Sequence, residues 1–108
     1  ATASHAGPYA DIAKAKFESD MVQAIQLLDT TEAKKNAAIS ELPGIEKSLR
    51  NIVREGLKEK KSCLKIKRDF MKEQKALMDQ EGWEDKDFAE SSLAASGDYV
   101  ATVCLDMK

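Results

Sequence analysis

Apolar residues recur at steps of three and four along most of this chain. Tyr9, Ile12, Ala13, Phe17, Met21, Ala24, Ile25 and Leu28 fall on one face of a helix predicted over residues 9–28. Asp29-Thr30-Thr31 breaks the rhythm and offers side-chain oxygens to cap a second helix starting near Thr31. That helix carries Ala37, Ala38 and Leu42, meets Pro43-Gly44, and resumes with Ile45, Leu49, Ile52 and Val53 until Gly56. Proline removes a backbone donor and crowds the preceding turn, so the element is kinked or split at Pro43-Gly44; one kinked helix is the preferred reading. A third helix is predicted from Lys58 to Gln80, with Cys63, Ile66, Phe70, Leu77 and Met78 inward and Gly82 as its stop. Asp85 stands where it can cap a last helix over 86–107, whose inner face is Phe88, Ala95, Tyr99, Val103 and Met107, flanked by Val100 and Cys104.

Four amphipathic segments joined by short connections predict an all-α protein, an up-down-up-down antiparallel four-helix bundle. Residues 1–8, with the only histidine at His5 and Gly7-Pro8 at their end, read as a flexible N-terminal arm, and 9–108 as a single domain. Composition agrees. In 108 residues, 43% are hydrophobic and 33% charged, with two prolines, which favours one helical core over disorder. No apolar run approaches the ~18 residues of a membrane span, and no charged-then-apolar leader precedes the first helix, so a soluble chain is expected. Ala1-Thr2-Ala3 has the small-residue character of a cleavage region, as chance also produces in an alanine-rich chain.

If the last two helices fold back about residues 83–84, position i on one lies level with 167 − i on the other, and Cys63 meets Cys104. Two inward cysteines at matching heights are disulfide candidates, provided their Cα atoms come within about 7 Å. The alternative is a pair of inert buried thiols that act as small hydrophobes. A bridge would point to an oxidising compartment. No zinc-ligand spacing is present, so no metal and no cofactor are expected. The same register sets Phe70 level with Gly97, whose missing side chain would make room for the ring. Trp83, at the hairpin tip, reads as a cap on one end of the bundle or, if exposed, as a secondary docking anchor.

Charge changes the picture most. Lys58, Lys61, Lys65, Arg68, Lys72 and Lys75 are spaced 3, 4, 3, 4, 3 and would form one cationic line ~26 Å long on the outer face of the third helix. No acid falls in that line, with Asp69 and Glu73 to one side. Residues 47–75 hold 11 Lys and Arg against 4 Asp and Glu, whereas residues 76–108 hold 2 against 8, in a chain of net charge −2. One basic element in an otherwise acidic protein suggests an oriented contact with an acidic partner, the bland reading being a solvated face. Nucleic acid is a poor target, because no aromatics alternate with the cations.

Enzyme chemistry would need a nucleophile with a base, a metal cluster or a phosphate-cradling glycine loop, and none is visible; no catalytic residue and no small-molecule substrate are expected. Glu81, Glu84, Asp85 and Asp87 form an acidic tip without the ligand spacing of a calcium loop, and capping explains them better.

A small lysine-rich four-helix bundle with an N-terminal arm (ATASHAGPY) and a helix of the type LPGIEKSLRNIVREGLKEKK resembles the extrinsic subunits on the lumenal face of photosystem II. It is similar to PsbQ-like proteins, and most of all to the small extra subunit of diatoms and related algae; the cysteine pair and a short arm that is not proline-rich differ from the plant PsbQ pattern. The resemblance implies a plastid thylakoid-lumen protein, peripheral on the membrane, that docks on the photosystem II core beside the other extrinsic subunits. There it would shield the manganese cluster and help retain calcium and chloride without doing chemistry. Lys58, Lys61, Lys65, Arg68, Lys72 and Lys75 would be its docking surface. Two other readings compete: a secreted or organellar helical interaction module (an inhibitor or adaptor) using the same cations, and a small apolar-ligand carrier whose cavity is lined by Met21, Met71, Met78 and Met107.

Overall fold

A computed structural model of the chain describes residues 7–82 and 85–108. They form five helices: α1 (Pro8–Gln26), α2 (Glu32–Ser40), α3 (Leu42–Lys58), α4 (Cys63–Glu81) and α5 (Lys86–Met107), with no strand among the described residues. His5 and Ala1-Thr2-Ala3 lie outside the described residues, as do Glu84 and the expected cap or docking anchor Trp83.

Local chemistry accounts for most boundaries. Thr31 Oγ1 accepts from Lys34 N–H at 3.2 Å and opens α2; Asp85 Oδ1 accepts from Phe88 N–H at 3.0 Å and opens α5. Gly82, at φ 88°, ends α4. The second predicted helix is two helices. The break falls on Glu41, which closes α2 and opens α3, so Pro43 sits in the first turn of α3, where its missing N–H leaves no bond unmade.

The largest correction concerns the next turn. Gly56 does not stop α3; it is buried inside it, and an alanine-like Cβ there would lie 2.6 Å from Ile66 Cγ1. The helix runs on to Lys58 and ends in a Schellman turn with Lys60 in the left-handed region at φ 62°. Lys61 N–H reaches Gly56 C=O at 3.1 Å and Lys60 N–H reaches Leu57 C=O at 2.9 Å. Ser62 then caps α4 by accepting from Lys65 N–H at 3.1 Å. Lys58 and Lys61 are therefore not on the helix that carries the other four cations.

The core sits around α5, which packs against α1, α3 and α4; α3 also packs on α4, and α2 bridges α1 and α3. Tyr99, Val100, Val103 and Cys104 of α5 are buried with Phe17 and Ile25 of α1, Leu49 and Val53 of α3, and Ile66 and Phe70 of α4. Phe17 and Tyr99 rings meet at 5.3 Å between centroids, tilted by 54°. Cys63 and Cys104 are joined as a disulfide with Cα atoms 5.7 Å apart, tying the start of α4 to the end of α5. Gly97 gives room to Met71 rather than to Phe70: a Cβ at 97 would sit 2.7 Å from the Met71 sulfur. Tyr9, Ile12 and Leu77, expected on inner faces, are 47%, 59% and 49% exposed, since each lies at the margin of a stripe wider than the groove it fills.

Candidate functional site

The cations divide into two groups once the turn at 59–62 is in place. Lys58, at the end of α3, pairs with Glu55 at 3.2 Å. Lys61, in the turn and half-buried, reaches Glu59 at 3.3 Å and Asp69 at 3.2 Å, and Lys65 reaches the same Asp69 carboxylate at 3.5 Å. Asp69 thus stands among the cations, not beside them. Its hydrogen bond to Lys61 holds the carboxyl below the usual aspartate range and raises the lysine. Chain reversal brings Lys61 down onto the first turns of α4, which no single helical projection contains.

The second group is open. Arg68 and Lys72 are exposed on α4, and no ion pair among the described residues involves either. Lys75 shares a shallow depression with Asp79, Lys86 and Glu90. Lys67 turns the other way, to Asp98 of α5 at 3.3 Å, where Lys16 of α1 also reaches at 3.6 Å. Such exposed pairs contribute about 0–1 kcal/mol each, so they orient the helices more than they stabilise them. The predicted docking line is thereby reduced to Arg68 and Lys72, flanked by Lys65 and Lys75.

A second cluster lies where α1, α3 and α5 meet. Glu46 follows Leu42 and precedes Leu49 and Val53 at core spacing, and it is 2% exposed. Its Oε1 has no hydrogen-bond partner. Burial, and then the facing Glu18 carboxyl, push Glu46 up to about 7. Glu18 is held low by Lys14, which it meets at 2.5 Å, and the same bond raises Lys14. Arg50, one turn on from Glu46, donates from Nη1 to the Tyr99 hydroxyl at 2.9 Å. Burial raises the Tyr99 phenol, partly offset by that guanidinium. Of these five positions only Tyr99, on the inner face of the last helix, stood out in the sequence; the one available signal for the rest was a glutamate in phase with Leu42, Leu49 and Val53.

The four methionines do not line one cavity. Met21 is in the core, Met71 lies against Gly97, and Met107 borders a cleft on the α1–α3–α5 side, with Met78 half-buried on α4. Among the described residues no group of three His, Cys, Asp or Glu could hold a metal ion, and no helix is long and apolar enough to cross a membrane. No known protein family, curated protein or solved structure matches this chain.

Proposed function

We propose that this chain is a non-catalytic docking protein, an extrinsic subunit of the lumenal face of photosystem II similar to the PsbQ-like extra subunit of diatoms and related algae. Its role would be to cover the manganese cluster and slow the loss of calcium and chloride. The observation that carries the reading is the exposed pair Arg68 and Lys72 on α4, without ion-pair partners among the described residues and flanked by Lys65 and Lys75. Cations left unpaired on an acidic protein are available to a partner and keep their full salt sensitivity, with screening over about 8–10 Å. The Cys63–Cys104 bridge suits an oxidising compartment such as the thylakoid lumen. The arrangement that goes with this reading is an up-down-up-down antiparallel bundle; the pairings of Cys63 with Cys104, Lys67 with Asp98 and Ala10 with Asp106 support it.

The test is binding of the purified protein to photosystem II particles stripped of their extrinsic subunits, across a salt series, beside Arg68→Glu/Lys72→Glu. Saturable binding at low salt, lost in the double variant, is the expected result. Absence of saturable binding, with the other extrinsic subunits restored, would overturn the photosystem assignment and favour a secreted or organellar interaction module with another acidic partner.

A further inference from the structure

On the side of α5 away from Asp98, the first turns of α1, the second half of α3 and the last turns of α5 enclose a cleft of about 440 Å³. That volume lies within the range of small-molecule sites. Its cations are Lys14, Arg50 and Arg54, and its apolar wall is Ala10, Val103 and Met107. Arg50 is half-buried, and Tyr99 takes one of the five donors a guanidinium carries. Arg54 is exposed and donates to Asn51 Oδ1 at 2.5 Å.

Two carboxylates also border the cleft. Asp106 is engaged: its Oδ2 accepts from Ala10 N–H at 2.5 Å, at the positive end of α1. Gly7 is needed beside it, because a Cβ there would run into the Asp106 carboxylate. Asp11 is exposed. The two arginines share one helix at i and i+4, so both guanidinium groups project to the same side.

We propose that this cleft binds a small organic carboxylate, with Arg50 and Arg54 taking the carboxylate and Ala10, Val103 and Met107 taking its apolar body. A planar two-oxygen anion suits the guanidinium fork, and the apolar wall selects a carboxylic acid over inorganic phosphate. Glu46, buried beside Lys14 and Arg50, opposes the anion by charge, as does Glu18 across from it. The site is separate from the α4 cations, and its test involves no photosystem.

The experiment is a titration of the isotope-labelled chain with hexanoate at fixed ionic strength, following backbone amide shifts, with hexanol and inorganic phosphate as controls. Hexanoate is expected to give saturable shifts at Ala10, Arg50, Val103 and Met107, and neither control should saturate there. Arg54→Gln, at an exposed position, should weaken binding by about tenfold with an unchanged melting temperature, the loss expected for one charged hydrogen bond. Arg50→Lys keeps the charge without the fork and should weaken it similarly. Glu46→Gln should tighten binding at pH 8, because it removes a carboxylate that opposes the anion. Equal responses to hexanoate and phosphate, or an Arg54→Gln variant that binds hexanoate as the native chain does, would overturn the proposal.

Discussion

The two flanks of α5 are held by different means. On one flank, α1 and α3 bury Phe17, Met21, Ile25, Leu49 and Val53 against it and add a ring contact and the Arg50–Tyr99 hydrogen bond. On the other, α4 buries only Ile66 and Phe70, and the Cys63–Cys104 bridge fastens its start. Each fully buried Phe, Ile or Val contributes about 1.5–3 kcal/mol, so the α4 flank is short of apolar burial by several such residues. A helix that must keep a cationic outer face free for solvent or a partner can spare fewer positions for the core, and a covalent link makes up the difference.

Breaking that link is expected to have the largest effect. Cys63→Ser/Cys104→Ser should lower stability by about 4 kcal/mol in the chain-entropy model. Hydrogen exchange should then rise across α4 well before α1, whereas equal loss of protection in both helices would show that the flanks are not held separately. Next in size is Gly97→Val, which pushes into Met71 and should cost about 1–3 kcal/mol by chemical denaturation. A cost near zero would mean that Met71 swings away freely and the α4–α5 approach is loose.

On the opposite flank, Glu46→Gln should raise stability by about 1–3 kcal/mol at pH 8 and change little at pH 4. The sign follows from Glu46 having a pKa of about 7 when folded, above the ordinary glutamate value of 4.5. Between those values the folded state binds more protons than the unfolded one, so native stability declines as pH rises from about 4.5 towards 7 and stays low above. Melting curves from pH 4 to pH 9 check it; a native profile as flat as that of the variant would remove the buried-carboxyl account. Lys60→Gly should stabilise by about 1 kcal/mol, because glycine enters the left-handed region without the steric cost a lysine meets at φ 62°. Smallest of all, Arg68→Glu/Lys72→Glu should move stability by less than about 0.5 kcal/mol, which makes the pair a clean probe of docking.

Most of the helical segments, the Thr31 and Asp85 caps, and the level pairing of the two cysteines were legible in the chain because each rests on neighbours three or four residues apart or on a short hairpin, whereas the segment read as one kinked helix is two, α2 and α3. The turn at 59–62 was not. Its left-handed residue is Lys60, a type that gives no warning, while Gly56, the residue that usually marks such a stop, was placed for close packing on Ile66 instead. Ser62 did carry a capping signal, overshadowed by the unbroken rhythm of lysines around it.

What the sequence by itself determined is local: which segments coil, which faces are apolar, where caps stop and start them, and that basic residues gather between 47 and 75. Only the tertiary structure decided that α5 is the common wall for three other helices, that Lys61 folds back onto the Asp69 carboxylate which Lys65 also meets within α4, and that Glu46 is shut in against Glu18 with Arg50 beside it. Helical periodicity is enforced by hydrogen bonds within a turn. The burial and pairing of a charge depend on which distant helix arrives beside it, and that is settled only by the direction the chain takes after each turn.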